Sequence, residues 1–290
     1  MEIDTSSFGT VDALARWDDA HLLDAMEARH SVRSYRDKRI DADALRELQS
    51  VIDGCNEAAG LSFTLVADDP SAFDGALAHY GSFRGVRNHV ALIGRKGPRL
   101  DETVGYYGEQ VVLAAQLLGL NTCWVAMTYR KRGAARTMPG EARPAILALG
   151  YGETSGASHK VKPVTSLCRV PGGPAAMPEW FAAGMRAAQL APTAMNQQAF
   201  SFELVEGEVP GVRARLGLGP CAKIDLGIAR FHFEIGARSV VALAVVGSGA
   251  ISRGVCRTRL TIGEAARKPR DSSGSRCRAA RGSARCGSAR

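Results

Sequence analysis

The sequence predicts an α+β fold, in which helices and short strands follow one another along the chain. Two segments have strong helical character: Asp43–Ala59 places apolar residues at helical spacing, and Thr103–Leu118 is apolar on nearly every face. Short strand-like runs follow each of them, and a second helix–turn–strand unit comes after a stretch rich in glycine and proline.

In order, Leu22–Ala28 reads as a helix. In Asp43–Ala59 the residues Leu45, Leu48, Val51, Ile52 and Cys55 form the apolar face, with Asp41 and Asp43 as candidate caps. Leu61–Ala67 alternates like a strand and stops at Asp68-Asp69-Pro70. Asn88–Gly94 is a short apolar strand. Thr103–Leu118 should be buried, since Val111 to Leu118 leaves almost no polar face, and Gly119 stands where a helix stop belongs. Cys123–Met127 and Ala145–Gly150 follow as strands. Residues 151–178 contain Gly152, Gly156, Pro163, Pro171, Gly172, Gly173, Pro174 and Pro178, which marks a linker. Beyond it lie a helix at Pro178–Leu190, a turn at Ala191–Asn196, a strand at Phe200–Glu206 and a last folded segment from about Asp225 to Val246.

A chain of 290 residues allows one or two domains. With 46% hydrophobic and 23% charged residues it can bury a sizeable core. The net charge of +8 is unevenly placed: residues 253–290 hold 11 basic and 2 acidic residues, leaving 26 basic and 27 acidic residues, a net of −1, in the rest. A body-wide basic surface for nucleic acid is therefore not supported. The tail itself has no apolar periodicity and no aromatic reader. It is expected to be disordered, and its abrupt onset matches an out-of-frame translation of GC-rich DNA. The longest apolar run, Val240–Ile251, is well short of the ~20 residues a bilayer requires. Seven cysteines, an odd number without a CxxC pair, argue against a disulfide framework and a zinc site. Met1-Glu2-Ile3-Asp4 lacks the profile of a signal peptide, so a cytoplasmic protein with reduced thiols and no bound metal is expected.

Three segments carry chemistry. Arg29-His30-Ser31-Val32-Arg33 brackets a serine with two arginines, whose planar guanidinium groups suit phosphate recognition. Tyr106–Trp124 joins the buried helix to a strand ending in Cys123-Trp124, and alone reads as core. Ala191-Pro192-Thr193-Ala194-Met195-Asn196-Gln197-Gln198 is a proline-started turn able to present amides and an Asn side chain to a polar ring edge. No Ser-His-Asp elbow, no GxGxxG after a strand and no P-loop is present.

Taken together, over about residues 20–240, these segments resemble the nitroreductase family of flavin enzymes. The likeness rests on Arg29–Arg33, on Glu109–Trp124, on Ile146–Gly152 as a closing strand, and on the Ala-Pro-Thr-x-x-Asn-x-Gln turn at Ala191–Gln198. It implies a central, mostly antiparallel sheet flanked by helices. It also implies FMN as cofactor, with NADH or NADPH as electron donor and a nitroaromatic, quinone or similar small molecule as acceptor. By position, Arg29, His30, Ser31 and Arg33 would hold the flavin phosphate and ring edge. A cation there, Arg29 or Arg33, would favour the negatively charged reduced ring. Pro192, Thr193 and Asn196 would meet the ring from the other side. The backbone at Val125–Ala126 stands where the family, typically with glycine, donates an amide. Lys160 and Lys162 stand where it has a late basic pair.

One departure is informative. In an ordinary nitroreductase the proline turn comes soon after the arginine segment, but here Cys55–Phe63 lacks it and the good copy waits until Ala191. The chain thus resembles a fused, diverged pair: a first half at 15–152, a linker at 153–177, a truncated second half at 178–250 and a basic tail at 251–290. Such a pair would form a pseudo-dimer inside one monomer and hold one flavin per chain. The alternative from the same resemblance is a catalytically silent flavin-binding protein.

Overall fold

The computed structural model describes residues 9–76, 80–156, 161–206 and 210–247, with side chains through residue 240. The basic tail lies outside the described residues.

Helix α1 (Asp19–Ala28) starts on Asp18, whose carboxylate accepts the His21 amide. Helix α2 (Ala42–Ala59) buries Leu48, Val51, Ile52 and Cys55, the face its spacing predicts, and ends on Gly60 at φ 60°. Asp41 does occupy the position before this helix, but its carboxylate accepts the Tyr151 hydroxyl at 2.7 Å and caps nothing. Strand β1 is only Thr64–Val66, because Leu61 makes an isolated bridge to Gly94. Strand β2 (Asn88–Arg95), helix α3 (Leu100–Leu117), strand β3 (Asn121–Val125) and strand β4 (Glu141–Gly150) complete the first half. The four strands form one antiparallel sheet in the order β1-β2-β4-β3.

The glycine- and proline-rich stretch is not bare linker. It holds a single helical turn, α4 (Val164–Leu167), and a two-residue strand, β5 (Cys168–Arg169), which pairs in parallel with the next half. Helix α5 (Glu179–Gln189), strands β6 (Phe200–Val205) and β7 (Gly211–Leu216), and the long helix α6 (Ala222–Gly247) follow. Strands β5-β6-β7 make a second, smaller sheet. The order helix, strand, antiparallel strand, long helix therefore occurs twice, as α2-β1-β2-α3 and as α5-β6-β7-α6.

Helix α3 is buried continuously from Val104 to Ala115, as its lack of a polar face requires. It packs against α6, and α6 packs in turn against α5. The crossing is close because two glycines meet it. A Cβ on Gly105 would lie 2.1 Å from the Ile224 carbonyl oxygen, and one on Gly227 would lie 2.0 Å from that of Glu102. Polar pairs lace the same interface. Glu102 pairs with Arg230, and the Tyr106 hydroxyl donates to Glu234 at 2.6 Å. Glu109 meets His232 Nε2 at 3.0 Å while accepting the Trp124 indole N–H at 2.8 Å, with Glu109 and His232 both fully buried. Toward α5 the core closes with Phe233 stacked on Phe202 at 4.7 Å and edge-on to Phe181 at 5.4 Å. Apolar residues from Val11 to Ala237 form one continuous core. A smaller cluster on the other face of the first sheet gathers Val32, Phe73, Phe83, Cys123, Val125 and Ile146.

Candidate functional site

The arginine segment leaves α1 and runs extended beside the edge strand β3. Ser31 bridges Thr122 in parallel, and the Val32 amide donates to the Thr122 carbonyl at 3.0 Å. Extended geometry turns alternate residues the same way, so Arg29, Ser31 and Arg33 share a side. All three act on the Cys123 thiol: burial raises its pKa, while Arg33, Ser31 and Arg29 pull it down. Val125 lies on the same face of β3 as Cys123, and Ala126 follows directly.

The arginines differ sharply. Arg33 is exposed, its guanidinium 5.9 Å from the centre of the Phe83 ring. Arg29 is 2% exposed, and its Nε and Nη1 atoms are buried without a hydrogen-bond partner. An unpartnered buried guanidinium is costly, and its two free donors can each take a partner such as an anionic oxygen. His30 is half-buried, with Nδ1 at 3.1 Å from the Ala28 carbonyl.

The proline turn sits at the end of α5. Pro192 and Thr193 are half-buried and Asn196 is exposed. Met195, Asn196 and Gln198 stand at φ 52°, 54° and 44°, so three residues other than glycine adopt left-handed backbone within four positions. Such a cluster persists only where surroundings hold it, and it concentrates at functional sites. One end is held by Gln198, which is 1% exposed. It donates to the Gln189 carbonyl at 2.9 Å, accepts the Lys162 amide at 2.6 Å and gives its own amide to Thr193 Oγ1 at 3.0 Å. Lys162 Nζ also donates to the Gln198 carbonyl at 3.3 Å. A cavity of about 520 Å³ opens here between Lys162, Gln197, Phe200 and Leu218. The other end is held by Asp225 of α6, to which the Ala194 amide donates.

The chain between the two sites limits their separation. The Glu153 amide donates to the Ser34 carbonyl at 2.9 Å, and Gly156 lies against the His30 side chain and the Ser31 carbonyl. Six residues later Lys162 is bonded to Gln198. Six extended residues reach at most about 22 Å, so Gly156, beside Ser31, and Lys162, beside Gln198, stand no farther apart than that. Lys160 lies outside the described residues. Lys162 is bonded to the turn through Gln198.

The sequence reading missed Asp225, the buried bracket of Gln189 and Gln198, and the Glu109–His232 pair. The last had a signal, an acid inside the most apolar helix and a histidine in the last one, but their pairing joins residues 123 positions apart. Among the described residues no group of His, Cys, Asp and Glu could hold a metal ion, and no helix is long and apolar enough to cross a membrane.

The geometry defines an α+β fold of the nitroreductase kind, with an antiparallel sheet and helices between two sheets. Residues 21–237 match the family model described as "Putative TM nitroreductase", and the chain belongs to that family. Among solved structures it is similar to one described as a putative nitroreductase from Thermotoga maritima MSB8. The identity is 22% and the TM-score 0.54, with 76% of this chain and 85% of that one covered. It is also similar to a putative nitroreductase in complex with FMN from Desulfovibrio desulfuricans, at 23% identity and TM-score 0.41, covering 50% of this chain and 94% of that one. A nitroreductase with bound FMN from Bacteroides fragilis matches at 20% identity and TM-score 0.37, over 49% and 93% of the two chains. No curated protein matches the chain.

Proposed function

We propose that this chain is an FMN-dependent oxidoreductase that takes electrons from NADH or NADPH and passes them to a nitroaromatic, quinone or similar small acceptor. The observation that carries the reading is Arg29. A buried guanidinium with two unpartnered nitrogens, beside a serine and a second arginine, fits the anionic end or the carbonyl edge of a flavin nucleotide. Family membership supports the same reading.

When bound, FMN supplies the hydride chemistry. The residues of this chain bind and orient. Arg29 and Arg33 bring positive charge, Ser31 brings a neutral donor, and His30 stands beside them. Val125 and Ala126 offer backbone at the end of β3. Pro192, Thr193 and Asn196, held in a strained turn, present polar groups from the other half, and Lys162 brings a cation beside them. Burial of Arg29 in a partly dry environment strengthens its interaction with any negative charge placed near it.

The twice-repeated element order, and the split of site residues between the first and second halves, support a reading as two diverged copies acting as a pseudo-dimer. On that reading the chain is a monomer with one flavin. A cytoplasmic setting is consistent with Cys55, Cys123, Cys168 and Cys221 all being free thiols. The test is a visible spectrum of protein mixed with FMN, followed by steady-state oxidation of NADH and NADPH with a nitroaromatic acceptor. Flavin binding with turnover supports the reading. Flavin binding without turnover leaves a flavin-binding protein, and no binding overturns both.

A further inference from the structure

Asp225 is buried at 3% exposure in the first turn of α6, and both its carboxylate oxygens face one donor. They lie 3.0 and 3.1 Å from the Ala194 amide. Ala194 opens the turn in which Met195, Asn196 and Gln198 hold left-handed backbone. An L residue other than Asn in that region relaxes unless its neighbours over-determine it. The far end of the turn has four hydrogen bonds, through Gln198 and Lys162. At the near end Asp225 of α6 accepts the Ala194 amide and so joins the turn to that helix.

We propose that Asp225 is the positioning residue of this turn, holding the Ala194 amide so that Thr193 and Asn196 stay aimed at the flavin. The role in flavin binding rests on the function proposed above, whereas the role in holding the turn does not. A carboxylate is a stronger acceptor for a backbone amide than a carboxylic acid, so the hold is tightest when Asp225 is ionised. Burial pushes its pKa up to about 7, against the pull of the Ala194 amide, which places the change near neutrality. The titratable groups nearby are Cys221, immediately before α6, and Asp101 of α3, which also acts on Cys221. Lys223 is turned away to the Pro98 carbonyl, and Arg230 is taken by Glu102. No cation therefore competes for Asp225 among these neighbours.

The experiment compares wild type, Asp225→Ala and Asp225→Asn. FMN binding is followed by fluorescence quenching at pH 6 and 8, and amide hydrogen exchange is read across residues 190–200 and across the start of α6. We expect Asp225→Ala to weaken FMN binding roughly tenfold or more at pH 8, the loss expected for a hydrogen bond to a charged group. Asp225→Asn, which keeps an oxygen acceptor, should recover most of that affinity. The ratio of wild-type to Asn affinity should be larger at pH 8 than at pH 6, a comparison that cancels the ionisation of the FMN phosphate itself. Exchange should rise at 194–198 in the Ala variant. A purely structural role in α6 would instead raise exchange at the start of that helix and leave the pH ratio flat, which overturns the proposal. If wild type binds no FMN, the proposed function falls, and unchanged exchange at 194–198 in Asp225→Ala then overturns the positioning claim separately. If Asp225→Ala does not fold, a flat pH ratio and unchanged 194–198 exchange in Asp225→Asn overturn it.

Discussion

Replacing Arg29 with methionine should move stability and ligand affinity in opposite directions. In the protein without ligand the Arg29 guanidinium is buried with Nε and Nη1 unpaired, and a buried charge without compensation is destabilising. Methionine has similar reach and no polar atoms that require partners. We expect the unliganded variant to gain about 1–3 kcal/mol, the usual penalty of an unsatisfied buried group. For a protein of this size that is a rise in Tm of roughly 2–12 °C. If an anionic flavin group supplies the two missing acceptors, each charge-assisted bond contributes about 1.5–3 kcal/mol. Losing both should weaken FMN binding by roughly two to four orders of magnitude. Arg29→Lys keeps the charge but not the fork, so its affinity should fall between the two. Melting of FMN-free protein by circular dichroism, paired with fluorescence titration of FMN, reads both effects. A variant that melts several degrees lower and binds FMN like wild type would refute the reasoning, because Arg29 would then be a structural arginine.

His89 is fully buried on β2 with neither ring nitrogen bonded, and burial lowers its pKa to about 4. Between pH 6.5 and 4 the unfolded chain takes up a proton that the folded chain refuses, so stability present above pH 6.5 is lost as pH falls, by up to about 3 kcal/mol. His89→Leu should raise stability at pH 7 and flatten that slope in urea unfolding at pH 7 and 4.5; a steeper slope would contradict the assignment. Gly227→Ala puts a methyl group 2.0 Å from the Glu102 carbonyl oxygen. Despite the better helix propensity of alanine, it should cost at least ~3 kcal/mol by forcing α3 and α6 apart, and a Tm within a degree of wild type would show the crossing to be looser. Glu109→Leu strands His232 Nε2 and the Trp124 indole in the core, and should cost about 3–5 kcal/mol, with part recovered in the Glu109→Leu/His232→Leu double variant. Simple addition of the two single effects would argue against a coupled pair.

Much of the first half was legible because local rules decide it. The apolar run of α3 stops at Gly119, which adopts φ 77°, and the spacing of α2 names its buried face residue by residue. Elements set by distant partners were not legible. Strand β7 reads as polar because Arg213 and Arg215 pair with Glu203 across the sheet, an arrangement no window of sequence reveals. Strand β5 is two residues that exist as a strand only because β6 lies beside them. The motifs of the proposed site stand out in the sequence, and the residues that hold them in place do not. Arg29 and Arg33 look alike in sequence, yet one is buried and the other exposed, since only Arg29 lies where the end of α1 meets the packed body. Asp225 marked only the approximate start of the last folded segment in the sequence, and its bond to Ala194 spans 31 positions.

The claim that two separated segments of one chain build a single flavin site is tested most directly by stoichiometry. Titrating FMN into protein at a concentration far above its dissociation constant should give a sharp break at one FMN per chain, with the chain monomeric in the same solution. A break at one FMN per two chains, or no break at all, would contradict it.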